Sequence, residues 1–163
     1  MTTMPADPGD VAATEAQLEG FIARFTPEIA DRVRAARAVL RERLPGATEL
    51  VYDNYNALAI GYGAGGKTSD AVFSLAVYPR NLLLYFLPGV GLPDPEGLLQ
   101  GEGRLGRYVC LREVALLDAP AVIALIAAAL DRARRPLPPE GGRTIVKSIS
   151  ARQRPRRPAG DAA

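Results

Sequence analysis

The run Asp70-Ala71-Val72-Phe73-Ser74-Leu75-Ala76-Val77-Tyr78, then Pro79-Arg80-Asn81, then Leu82-Leu83-Leu84-Tyr85-Phe86-Leu87, decides the fold. Alternation at period two sets Ala71, Phe73, Leu75 and Val77 on one face of a strand. Pro79-Arg80-Asn81 is turn chemistry, and the apolar run after it returns as a second strand. Toward the N-terminus, residues 49–54 and 56–62 make two shorter strands. Toward the C-terminus lies a loop with Pro88, Gly89, Gly91, Pro93 and Pro95, then an expected helical turn at 96–100 and a strand at 107–112.

Helical spacing brackets these strands. A short helix is expected over 15–25, with Leu18, Phe21 and Ile22 on one side. Thr26-Pro27-Glu28 combines a hydroxyl cap, a proline at the first helical position and an acid near the positive end. Ile29, Val33, Ala36, Leu40 and Leu44 follow as one apolar stripe, which Pro45-Gly46 stops. Asp118 is the expected cap of the last helix, with Pro120 in its first turn and Val122, Ile126, Ala129 and Leu130 facing the core. Strands bracketed by helices predict an α+β fold, a small antiparallel sheet with helices packed on one face.

Charge and composition divide the chain. From residue 130 on there are nine basic residues against three acidic, and before it eleven against fifteen. Residues 1–14 therefore read as a disordered leader, 15–135 as the domain, and 136–163 as a basic, largely flexible tail rich in Pro, Gly and Arg. Residues 144–149 alternate within that tail and are expected either to add a strand or to lie against the domain.

Several chemistries lose their usual residues. The chain has no histidine, the commonest general base and transition-metal ligand, and its single cysteine, Cys110, sits in an apolar run. Residues 1–11 hold no signal-peptide core, and no apolar run reaches the ~18 residues of a membrane span. The expectation is a cytoplasmic protein with no membrane partner.

Gly61-Tyr62-Gly63-Ala64-Gly65-Gly66-Lys67-Thr68 matches the phosphate-loop pattern. Such a loop must open a helix whose N-terminal dipole helps hold phosphate. Here the following residues alternate as a strand, so a hairpin loop is the better reading, and nucleotide binding at residues 61–68 the lesser one. Tyr52, Asp53, Asn54, Tyr55 and Asn56 form the densest polar-aromatic cluster. They are read either as a strand-turn joint or as a ligand pocket in which Asp53 accepts hydrogen bonds and the tyrosines stack. Arg152, Arg154, Arg156 and Arg157 are the expected tail contacts, suited to a nucleic-acid backbone or an acidic protein.

Leu44-Pro45-Gly46, the stretch from Glu49 through Tyr52-Asp53-Asn54-Tyr55-Asn56, Val77-Tyr78-Pro79-Arg80, Gly91-Leu92-Pro93-Asp94-Pro95 and Lys147-Ser148-Ile149-Ser150 together resemble the bacterial YdhG-like domain of unknown function. The resemblance implies a small α/β sandwich over roughly residues 20–135. Because that group includes a frataxin-like iron chaperone, it also implies iron as a possible cofactor or cargo. Oxygen-ligated iron needs clustered carboxylates, whereas the first long helix, which starts at Thr26-Pro27-Glu28, carries more arginines than acids. The resemblance supplies no catalytic residues. The sequence therefore leads to a non-enzymatic binding or accessory module, with iron carriage as the alternative.

Overall fold

A computed structural model describes residues 3–160. The outer ends of the expected leader and tail, residues 1–2 and 161–163, lie outside the described residues. The first helix, α1 (Val11–Ile22), begins earlier than its apolar spacing predicts, because the Asp10 carboxylate accepts from the N–H of Ala13 and supplies the cap. Residues before it are held as well: Gln17 bonds the backbone of Met4 and Ala6, and the Thr14 hydroxyl donates to the Asp7 carbonyl. The leader expected over 1–14 thus ends sooner, and its described part is anchored.

Thr26 and Pro27 start α2 (Pro27–Arg43) as their chemistry requires, with the Thr26 hydroxyl accepting from the N–H of Ile29. Five strands follow the period-two pattern: β1 (Thr48–Asp53), β2 (Leu58–Gly63), β3 (Ala71–Val77), β4 (Leu82–Phe86) and β5 (Arg107–Cys110). Residues 96–100 are not helical. Asp94 instead accepts from the N–H groups of Leu98 and Leu99, and Gln100 bridges to Tyr108 beside the sheet. The last helix, α3 (Pro120–Asp131), is preceded by Ala119 and not by the expected Asp118 cap, because Asp118 pairs with Arg43 of α2.

The chain then returns as β6 (Thr144–Ile149), parallel to β1 at the sheet edge, giving the order β5-β4-β3-β2-β1-β6. Residues 144–149 are therefore a full member of the sheet, and the domain boundary expected at 135 does not end the fold. Two glycines make this return possible. A Cβ on Gly46 would lie 1.5 Å from the Pro138 carbonyl oxygen, and one on Gly142 would lie 2.1 Å from that of Ala47. Gly46→Ala is expected to lower the melting temperature by roughly 2–4 °C or more, since a backbone clash costs at least about 1 kcal/mol and each kcal/mol shifts a chain of this size by that amount. An unchanged unfolding curve would show that the crossing has room to move.

Register defines two faces. Val51, Ile60, Leu75, Leu84 and Val109 lie in one row, with Val146 beside Val51, and all join the core with Ile22, Val33, Leu40, Val122 and Leu125 from the helices. All three helices contribute to this one core. The other face carries the rows Tyr52-Ala59-Ala76-Leu83-Cys110 and Leu50-Gly61-Ser74-Tyr85-Tyr108, and no described helix covers it.

Candidate functional site

Strand alternation places Glu49, Val51 and Asp53 together on the helix-covered face, so β1 sends two carboxylates into an apolar layer. A buried carboxylate is tolerated only when paired and hydrogen-bonded. Asp53, 1% exposed, receives Arg156 Nη2 at 2.9 Å and Gln153 Nε2 at 2.8 Å, while Arg24 approaches at 3.4 Å. Arg156 is only 4% exposed; its Nη2 also donates to the Asn54 carbonyl, and its guanidinium lies 5.8 Å from the Phe25 ring centre. Its Nε and Nη1 are buried without a hydrogen-bond partner among the described residues. Arg157 Nε donates to the Arg24 carbonyl, and the Arg154 N–H to that of Tyr55.

These contacts revise the tail. The four arginines do not form one free basic segment: Arg156 closes the core, Arg157 is half-buried, and Arg152 and Arg154 are exposed. The cluster 52–56 also separates. Asp53 faces the helices, Tyr52 turns to the uncovered face, and Asn54, Tyr55 (47% exposed) and Asn56 form the exposed turn. Sequence alone singled out both groups of residues but not the fact that they meet, with Asp53 and Arg156 as the joint.

The second polar centre surrounds Glu49, also 1% exposed. Arg37 Nε and Nη2 donate to it at 2.9 Å each, Thr144 Oγ1 at 2.7 Å and the Tyr62 hydroxyl at 2.9 Å. Arg37 also binds Glu15 of α1 through both terminal nitrogens, so one guanidinium joins two helices and two strands. Burial lifts the Tyr62 phenol well above its ordinary value of 10.0, and the Glu49 charge and hydrogen bond push it further the same way. Tyr62 therefore stays protonated, as a fixed donor.

The phosphate-loop pattern is a hairpin connection. β2 and β3 pair antiparallel across residues 64–70, and only a single short 3-10 turn, Thr68–Asp70, stands where a phosphate loop needs its helix. The loop folds back over the uncovered face near β1 and β6. Thr68 Oγ1 lies 2.6 Å from the Tyr52 hydroxyl, Lys147 Nζ donates to the Gly66 carbonyl, and Asp70 pairs with Arg135.

This loop forms one wall of a trough of about 300 Å³ on the uncovered sheet face. Its floor is small: Ala59, Gly61 and Ser74. Tyr52, Thr68 and Ser69 rise on the β1 side, and Tyr85 and Leu87 on the β4 side. Tyr85 stacks on Tyr108 with ring centres 6.3 Å apart and planes 9° apart. Its hydroxyl occupies the space beside Gly106, where a Cβ would lie 1.9 Å away. The tyrosines are thus held in place, and the polar groups they and the floor present are hydroxyls. The signal for this trough was present in the sequence as the small and tyrosine residues at alternate positions of the strands.

Iron finds no fit here. Among the described residues no three potential Asp, Glu or Cys ligands converge, and the buried carboxylates Glu49 and Asp53 are already held by arginines. Likewise, no described helix is long and apolar enough to cross a membrane. No protein-family model, curated protein or solved structure matches this chain.

Proposed function

We propose that this chain is a non-enzymatic binding module of the YdhG-like type, and that its ligand is a flat ring system lying in the trough of the uncovered sheet face. One observation carries the reading: a floor of Ala59, Gly61 and Ser74 between Tyr52 and Tyr85 leaves a slot two strands wide with aromatic sides. A sheet face without a helix over it exposes apolar surface, and small-molecule sites are apolar clefts with a few placed polar groups. The carboxylates that acid–base chemistry would need are engaged with arginines on the opposite face. Iron carriage and tail-driven nucleic-acid binding have less behind them, the first for want of a ligand cluster and the second because Arg156 is a core residue.

The chain has six tyrosines and no tryptophan, and two of the six, Tyr52 and Tyr85, line the trough, so part of the tyrosine emission reports it. Purine, indole and quinoline are the probes. At least one is expected to quench tyrosine emission saturably and to show saturation transfer from the protein by NMR. Both effects should vanish in Ser74→Phe, which fills the floor. Saturable binding that persists in a folded Ser74→Phe protein, or no binding by any of the three, would reject the trough as the site.

A further inference from the structure

The trough does not end at the sheet. At its Ala71 and Leu87 end a second recess of about 280 Å³ adjoins it, and the two cavities share Ser69, Ala71, Val72 and Leu87 as lining. Together they fall within the roughly 300–1,000 Å³ of small-molecule sites. Their chemistry differs. The trough offers rings and hydroxyls, whereas the recess is edged by Arg132, Arg134 and Arg135 against the single carboxylate Asp70.

The arginines have unequal structural duties. Arg135 pairs with Asp70 at 3.2 Å. Arg132 donates to the carbonyls of Pro88 and Val90, which orients it without neutralising it. Arg134 makes no hydrogen bond or ion pair among the described residues. Cations at the end of a helix complement its dipole, and that alone would account for exposed arginines at this position. It does not account for their edging a cavity that adjoins an aromatic slot, with three guanidiniums beside one carboxylate.

We infer that the trough and the recess are one site, and that its ligand is a mononucleotide-like molecule: a flat ring seated over Ala59 and Ser74, and a phosphate monoester held by Arg134 and Arg132. This rests on the trough reading and extends it to a ligand class. Guanidinium groups suit phosphate because their paired N–H donors match two of its oxygens. The arrangement differs from a phosphate loop, since the anion is held by side chains of the α3 end and not by the Gly-rich backbone of residues 61–68.

The test compares AMP, adenosine and inorganic phosphate by titration calorimetry on the full chain, with wild type, Arg134→Gln and Ser74→Phe. AMP is expected to bind about tenfold tighter than adenosine, the size of a charge-assisted hydrogen bond at a partly exposed site. Arg134→Gln should remove that advantage and leave adenosine affinity unchanged, and Ser74→Phe should abolish both. Equal affinity for AMP and adenosine, both lost in Ser74→Phe, would overturn the phosphate arm while the trough stands. AMP binding that matches phosphate alone and survives Ser74→Phe would separate the two cavities and overturn the joint site. No binding of AMP or adenosine would overturn it as well.

Discussion

Arg156→Ala is expected to destabilise the fold by about 3–5 kcal/mol, because it leaves Asp53 as a buried charge without its closest cation. Asp53 lies at the C-terminal end of β1 on the core face, and Arg24, at 3.4 Å and half-exposed, is a poor substitute. The same substitution also removes the guanidinium from the Phe25 ring and from the Asn54 carbonyl. Chemical denaturation followed by circular dichroism reads the loss directly. The pair's own net contribution is a separate matter, since Arg156 is desolvated and two of its nitrogens have no partner among the described residues. Asp53→Asn combined with Arg156→Met is therefore expected to recover much of the loss. If Arg156→Ala changed stability by less than about 1 kcal/mol, the range of an exposed ion pair, the segment 150–157 would not be part of the folded core.

That arginine also marks where sequence reading reached its limit. The hairpin of residues 71–86, the capped helix α2 and the rejection of the phosphate loop were all legible, because each depends on neighbours within a few residues. Thr26-Pro27 and the alternation of Phe73, Leu75 and Val77 carry their meaning locally. Arg156 does not. A run of arginine and proline reads as solvated tail on composition, and only the Asp53 carboxylate, 103 positions away, turns it into a core residue. β6 declared itself by its alternation as one of two alternatives, but its place beside β1 did not, since a parallel edge strand needs a long return and nothing in residues 132–143 signals one. Asp118 and Asp10 show the local version of the problem. Both are good helix caps by type, yet Arg43 claims one and leaves the other free to cap α1. The trough was visible only in part. Tyr52 was noted, but Ala59, Gly61 and Ser74 gain meaning only when β2 and β3 set them side by side.

The other large effect is expected at Arg37. Arg37→Ala removes the nearer of the two cations that pair with both Glu49, buried at the sheet, and Glu15 on α1. With Glu49 left to Tyr62, Thr144 and the more distant Arg41, the expected loss is about 3–5 kcal/mol, as for any broken buried pair. Its pH dependence distinguishes this from a simple packing loss. Hydrogen bonding from Arg37 holds the Glu15 carboxyl below its ordinary 4.5, against the opposing effect of burial, and the Arg37 and Arg41 charges add to it. A lowered pKa in the folded state contributes stability that is present above the ordinary value and is lost as pH falls through the folded value. Wild type should therefore lose stability below about pH 4.5, while Arg37→Ala has already lost that share, so the gap between them narrows with acid. Arg37→Met, which keeps most of the aliphatic stem, should lose stability at pH 7 nearly as Ala does if charge is the cause. A gap that stays constant from pH 7 to pH 3, or a Met variant as stable as wild type, would assign Arg37 to packing alone and leave Glu49 to its two hydroxyl donors.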